Sequence, residues 1–254
     1  MKIGVQTFTV RKAQKKSIEE AYLPLIDMGI RSFEVARIDF TEENALKLKS
    51  LKDAYGIEIT SIQVKPKYVF NSSESLISFC NITDCKRIVI SMLPFDCILG
   101  KEEKFYSFIS KLDGLTEHYA SHGITLGYHH HNWEYVRLSN GRTRMDELLE
   151  KTEKIKFVHD TYWTARSGIS PTRQIEDFGQ RLMGVHLRDL SFYKKGLGVL
   201  PKDDRIGGGV IDFKSVFVAL EKHADVYTVI EQNTKSPYVD IKKSYEYCNA
   251  ITKE

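Results

Sequence analysis

Short apolar runs rich in β-branched residues alternate along this chain with longer stretches whose apolar positions recur at three- and four-residue steps. The runs fall at residues 3–8, 31–37, 57–64, 87–92, 123–128, 156–159, 182–187 and 226–230, and each reads as a buried strand. Helices are expected between and after them, over 17–28, 41–55, 72–83, 101–122, 144–152, 171–180, 213–223 and 238–252. Local chemistry marks several ends. Ser17 and Glu20 have capping-box spacing, Thr41 and Asn44 open the next helix, Gly29, Gly56 and Gly123 close three of them, and Pro171 suits a first turn. Pro24 should kink the helix that holds it. In 101–122 a stripe of Phe105, Phe108, Ile109, Leu112, Leu115 and Tyr119 gives one long helix its buried side. Residues 191–209 show neither period and end in three glycines. They read as an irregular loop, long for a connector, whose Lys194, Lys195, Lys202 and Arg205 suggest a cationic lid or a disordered flap.

Eight strand–helix units without a break in composition predict an α/β fold, a closed (β/α)8 TIM barrel, with residues 1–254 as a single domain. The rival is an open doubly wound sheet, which prefers a glycine-rich phosphate turn after its first strand. Here that turn is Thr7-Phe8-Thr9-Val10-Arg11, without glycine. With 42% hydrophobic and 28% charged residues the composition is that of a soluble globular protein. A net charge of +3 with scattered lysines gives no basic stripe for nucleic acid, and no run is apolar and long enough to span a membrane. Cys80, Cys85, Cys97 and Cys248 form no Cys-x-x-Cys pair; they are expected as free thiols in a reducing compartment. The chain opens directly on a strand pattern without a secretory signal, so a cytoplasmic location is expected.

In barrels of this kind chemistry gathers where strands end. The densest such end is Tyr128-His129-His130-His131-Asn132-Trp133-Glu134, where alternation puts His129 and His131 on one face and His130 on the other. The next strand ends at Asp160, the one after carries His186, and the last ends at Glu231. Taken singly, Asp160 could cap its loop, His186 could be a hydrogen-bonded core residue, and Glu231 could pair with Arg188 or Lys65. Taken together, four consecutive strands deliver one metal-competent group each to a single rim. Two imidazoles and two carboxylates suit Mn²⁺, Fe²⁺, Co²⁺ or Zn²⁺ better than Ca²⁺. A hydroxyketone or vicinal diol could fill the remaining positions; the ion would then polarise a carbonyl and stabilise an enediolate while a nearby carboxylate moved the proton.

The motifs resemble the sugar phosphate isomerase/epimerase family of xylose isomerase-like barrels, in order and over the whole chain. Gly4-Val5-Gln6-Thr7-Phe8-Thr9-Val10-Arg11 resembles its G-x-Q-x-Y-[ST]-x-R start, and Tyr128 to Glu134 is similar to Y-H-N-H-[DN]-[FW]-E. Asp160-Thr161-Tyr162-Trp163 resembles D-x-Y-W, His186-Leu187-Arg188-Asp189 resembles H-x-K-D, and Ile230-Glu231-Gln232 resembles V-E-Q. Gly207 to Phe213 resembles V-G-x-G-x-[IV]-D-F. The resemblance implies a divalent ion, Mn²⁺ foremost with Zn²⁺, Co²⁺, Fe²⁺ or Mg²⁺ as alternatives, held by His129, Asp160, His186 and Glu231. It also implies a small carbohydrate substrate. Three departures stand out: His129 replaces the glutamate that pairs with the last ligand in the epimerases, Arg188 replaces a lysine, and residues 166–171 lack an aspartate of the motif.

The first departure bears on mechanism, because a metal-bound imidazole is a poor proton shuttle. Glu231 is then the expected proton-transfer base, with His131 or Glu134 as a second acid or base. Gln6, Glu34, Lys65, Trp163 and Arg188 are expected at the mouth as substrate-binding residues, with Trp133 and Phe8 completing an apolar wall. The leading expectation is a metal-dependent isomerase or epimerase of a small sugar or keto-sugar. A lyase or dehydratase acting on a keto-sugar or keto-inositol is the alternative, and a non-catalytic sugar-binding barrel a third; a homo-oligomer fits any of them.

Overall fold

Valine and isoleucine pack well on a pleated surface buried on both sides, and that preference builds the centre of this molecule. The computed structural model describes residues 1–252. Eight parallel strands close into a barrel: β1 (Ile3–Gln6), β2 (Ser32–Ala36), β3 (Glu58–Val64), β4 (Arg87–Ile90), β5 (Thr125–His129), β6 (Lys156–Asp160), β7 (Leu182–Leu187) and, after a hairpin, β10 (Tyr227–Ile230). β10 closes on β1 with Ile3 opposite Thr228 and Val5 opposite Ile230. Helices lie between successive strands, and outward-facing residues such as Val5, Phe33, Ile62, Ile88 and Phe157 pack under them in one continuous core. Phe157, for instance, stacks on Phe178 with ring centroids 4.7 Å apart.

Inside the barrel the strands contribute a second cluster, Val89, Val158, Met183, Tyr227 and Val229. It packs in the lower part, and two glycines make room for it. A Cβ on Gly127 would meet Met183 Cε at 2.2 Å, and one on Gly184 would meet the Tyr227 ring at 2.2 Å. Above this plug the inward positions turn polar, which sets the height of the site.

The helix caps follow the sequence. Ser17 Oγ accepts from Glu20 N at 3.1 Å and Thr41 Oγ1 from Asn44 N at 3.3 Å. Ser17 Oγ gives its own proton to Glu19 Oε2 at 3.2 Å, while Ser17 N donates to Ala13 O at 3.1 Å, so the backbone half of the expected box is taken by the preceding turn. The helix Ile18–Asp27 continues through Pro24. Three expectations are corrected. Residues 66–71 form an additional helix, Pro66–Asn71, with proline in its first turn, where the missing N–H has no cost. The single helix expected over 101–122 is two, Glu102–Ile109 and Leu112–Ala120. At the break Ser110 Oγ donates back to Ser107 O at 3.1 Å, and Lys111 N bonds only three residues back, to Phe108 O, tightening the turn.

The third correction concerns residues 191–209. Most of this stretch is an ordered antiparallel hairpin, β8 (Asp189–Lys195) and β9 (Gly198–Asp204), joined by Gly196 and Leu197 with Gly196 at φ 61°. That is the two-residue loop glycine favours. Beyond it the glycines wrap one carboxylate. Asp189 accepts from the backbone N–H groups of Leu190, Gly207, Gly209 and Ile211, and a Cβ on Gly209 would sit 2.3 Å from Asp189 Oδ1.

Candidate metal centre and its cleft

Strand alternation decides which polar residues point into the barrel mouth. His129, Asp160, His186 and Glu231 continue the inward positions of β5, β6, β7 and β10, and their ligand atoms all lie within 4.8 Å of one another. His130 and His159 take the outward side, where they stack on each other and His130 Nε2 accepts from Asp160 N at 3.1 Å. His130 thereby fixes the backbone that carries Asp160. Burial and the neighbouring His129 keep the His130 imidazole neutral, down to about 3.

Each donor is positioned from behind. His129 Nε2 lies 3.4 Å from Asp160 Oδ2, and its Nδ1 has no hydrogen-bond partner among the described residues. Asp160 caps its following helix, Oδ1 accepting from Trp163 N at 2.9 Å, so the capping role and the placement at the rim coexist. The His186 ring stands between two carboxylates, Nε2 at 2.7 Å from Glu34 Oε1 and Nδ1 at 2.7 Å from Glu231 Oε2, contacts of charge whose angles are off the ring N–H directions. Arg188 closes the group: Nη1 reaches Asp160 Oδ2 at 3.2 Å and Glu231 Oε1 at 3.3 Å, and Nη2 reaches Asp203 Oδ2 on the hairpin at 2.5 Å.

The charges follow from these contacts. Burial alone would raise the Asp160 carboxyl, but Arg188 and His129 hold it far below its usual range. Burial is likewise overcome at Glu231, which Arg188 and His186 bring down to about 2. His186 is opposed by burial, yet Glu34 and Glu231 raise it to about 10. The His186 imidazole is therefore charged at neutral pH in the metal-free protein, balanced by Glu34 on one side and Glu231 on the other.

The donor set fits a first-row divalent ion. With bonds of about 2.1 Å, adjacent ligands of a six-coordinate ion stand about 3 Å apart and opposite ones about 4.2 Å, close to the spread found here. Two carboxylates and two imidazoles are the matching chemistry. His129 Nδ1 and Glu231 Oε2, buried without aligned hydrogen bonds, are the kind of atoms an ion would satisfy. Glu34 behind His186 has the placement of a carboxylate that orients a ligating imidazole.

A cleft of about 920 Å³ opens above the centre, lined on this side by His129, His131, Trp163, Arg188 and Glu231 and reaching Lys65. His131 is half-buried, stacked on Trp133 at 4.8 Å and tilted on Trp163 at 5.1 Å, with Nδ1 unpartnered. Burial, then the nearby His129, hold it well below the usual imidazole range, so it is neutral at physiological pH. Gln6 and Glu34, expected at the mouth, and Glu134, expected as an acid or base, lie away from the cleft lining. Gln6 is fully buried, its amide Nε2 donating to Gln63 Oε1 at 2.9 Å and its Oε1 capping Phe8 N. Glu34 sits one layer down, holding Ser61 Oγ at 2.6 Å and Tyr227 Oη at 2.5 Å as well as facing His186. Glu134 is fully buried behind His131, accepting from the backbone N of His131 at 2.8 Å and from Tyr128 Oη; it shapes the turn and is remote from the cleft.

Other residues of the mouth are new. Asp203 draws the hairpin onto the centre, and its Oδ2 also accepts from Asn233 N at 3.0 Å. Arg37, Gln63 and Ser91, at the ends of β2, β3 and β4, line the same cleft. The alternating inward pattern that located His129 would have found Gln63 and Ser91 too, because it is the same period on neighbouring strands.

Comparison with known proteins gives a consistent picture. A family model described as "xylose isomerase-like TIM barrel" matches residues 25–250. An inosose dehydratase from Geobacillus thermodenitrificans (strain NG80-2) is 29% identical over 138 residues, 47% of this chain and 44% of that protein, so the match spans under half the relative's length. A sugar phosphate isomerase/epimerase from Parabacteroides distasonis ATCC 8503 superposes with a TM-score of 0.79 at 17% identity, over 97% of this chain and 96% of that one. An IOLI protein with a bound zinc atom gives 0.69 at 16% identity over 99% and 98%. At these identities the two structures support the fold.

Proposed function

The chain belongs to the xylose isomerase-like TIM barrel family, and from that premise we propose that it is a divalent-metal-dependent enzyme that moves a proton next to the carbonyl of a small keto-sugar. The observation that carries the reading is the convergence of His129, Asp160, His186 and Glu231, one from each of four neighbouring strands, with ligand atoms within 4.8 Å of one another. A bound divalent ion supplies Lewis acidity to the substrate's carbonyl oxygen. The chain's own residues do the rest. Both Glu231 oxygens are engaged, by His186 and by Arg188, which suits a ligand better than a mobile base. The His131 ring lines the cleft and is neutral, with Nδ1 buried on its inner side, and we assign the proton abstraction to its other nitrogen, Nε2. Arg188 steadies negative charge at the same place, and the Trp163 ring forms the wall for a sugar face.

One free base on one side favours isomerisation over a two-base epimerisation. Elimination of water also needs a single base, and the similarity to an inosose dehydratase gives a lyase second standing. Two measurements test the reading. Metal content of the purified protein should approach one equivalent and fall at least about tenfold in occupancy for Asp160→Ala and His129→Ala. Metal-loaded protein given a panel of keto-sugars in D₂O should exchange a carbon-bound proton, and His131→Gln should abolish that exchange. Exchange with an isomeric ketose or aldose as product supports the isomerase, an ultraviolet-absorbing unsaturated product the lyase. No exchange with any substrate would sink both.

A further inference from the structure

His130 is the middle one of three consecutive histidines, and it turns away from the cleft that its two neighbours line. Its ring is fully buried in a cage outside the barrel wall. His159 stacks on it with ring centroids 5.6 Å apart, the Tyr135 ring meets it edge-on at 5.6 Å, and Phe178 tilts on it at 5.9 Å. A buried imidazole in such a cage can be packing alone. The contacts of its two nitrogens give it more to do.

A backbone N–H can only donate, and a carbonyl can only accept. Asp160 N lies 3.1 Å from His130 Nε2, so Nε2 offers a lone pair. In the neutral ring the proton then sits on Nδ1, which donates to His131 O at 3.3 Å. One tautomer satisfies both contacts, whereas a doubly protonated ring would set an N–H against the Asp160 N–H. Thr164 Oγ1 at 3.5 Å and His159 Nδ1 at 3.4 Å face the same nitrogen, and each can donate to it. The His131 backbone is gripped from its other side too, its N–H donating to Glu134 Oε2 at 2.8 Å.

These contacts cross between strands. The ladder joining β5 to β6 ends at His129 opposite Val158, two residues short of Asp160. Past that point the His130 ring joins the two chains in place of backbone hydrogen bonds. On one side it holds the amide of a candidate metal ligand, on the other the carbonyl of the residue assigned the proton abstraction.

We infer that His130 is a positioning residue: as its Nδ1–H tautomer it ties the Asp160 backbone to the His131 backbone, so that ligand and proton acceptor keep one fixed spacing. This role rests on the proposed metal-dependent proton transfer, in which His130 itself touches neither ion nor substrate. Groups that orient a ligand from behind affect metal affinity by tenfold or more when removed.

Nitrogen NMR of chelator-treated protein, labelled with ¹⁵N in its imidazole rings, reads the tautomer: His130 Nδ1 should carry a bonded proton and Nε2 none. Three variants separate positioning from packing. His130→Leu removes both hydrogen bonds and keeps an apolar filler. His130→Gln can bring its Oε1 to the place of Nε2 and accept from Asp160 N. Phe178→Leu loosens the same cage and leaves both hydrogen bonds in place. In metal-free protein the Asp160 amide should exchange about tenfold faster in His130→Leu, and within about threefold of wild type in His130→Gln. Mn²⁺ affinity should fall about tenfold in His130→Leu and stay near wild type in the other two. A proton on Nε2, an Asp160 amide as slow in His130→Leu as in wild type, or equal loss of Mn²⁺ affinity in His130→Leu and Phe178→Leu would each overturn the role. Should wild type bind no Mn²⁺ while Asp160 exchange still depends on His130, the metal reading falls and the backbone tie stands.

Discussion

Replacing Glu34 by glutamine tests the polar layer beneath the centre. The side chain is fully buried and nearly isosteric with its replacement, whose carbonyl oxygen can still accept from Ser61 and Tyr227. What disappears is one of the two negative charges flanking His186. In the metal-free protein burial opposes charging of that imidazole, but Glu34 and Glu231 raise it to about 10, against about 6.5 when unfolded. A raised folded-state value means that protonated His186 stabilises fully below about pH 6.5 and loses that contribution as pH rises toward 10. At 1.36 kcal/mol per unit the whole effect is about 5 kcal/mol, of which about 4 kcal/mol is lost between pH 6.5 and 9.5. Glu34 supplies roughly half of the opposing charge while burial keeps pulling the other way, so less than half of the shift remains and Glu34→Gln should lose at most about 2 kcal/mol over that window. The variant should also start less stable at pH 6.5 by about the same amount. Urea unfolding of chelator-treated protein at pH 6.5, 8 and 9.5 reads this directly, and other titrating groups cancel in the comparison. Parallel stability curves for the two proteins would refute the assignment of His186 as a proton held by Glu34.

Two further substitutions probe the surroundings. Gly184→Ala drives a methyl into the Tyr227 ring and should cost about 2–3 kcal/mol, lowering the melting temperature by roughly 5–10 °C in calorimetry; an unchanged melting temperature would mean the ring has room to retreat. Asp203→Asn removes the charged contact between hairpin and Arg188 while Asp160 and Glu231 still hold the arginine. Amide exchange in Gly198–Asp204 should quicken about tenfold, equivalent to about 1.5 kcal/mol of local stability, with the barrel strands unaffected. Equal protection in the two proteins would show that the hairpin is held by its own ladder.

The barrel and the four donors were legible because both depend on simple periods. Alternation in β5, β6, β7 and β10 sends every second side chain inward, and the last inward position of each strand lands on the rim. Height was not legible. A closed barrel staggers its strands, and β2 carries an irregularity between Phe33 and Glu34, so a residue at a strand's end in sequence need not stand at the mouth. Glu34 and Gln6 were misplaced for that reason, by one layer. Glu134 was misread differently: the turn after His131 folds it back under the backbone, a local hydrogen-bond choice that no period encodes. The hairpin escaped because Val199, Leu200 and Phe192 are exposed, leaving no buried face to impose alternation, although Gly196 was a usable turn signal.

The stopper of Met183, Tyr227 and three valines makes the barrel blind at its lower end. Whatever enters must leave by the same doorway, so a spent molecule bars the next until it departs. Under the proposed reaction, substrate and product would share that one mouth, and the rate of exit would be set by the residues around the rim.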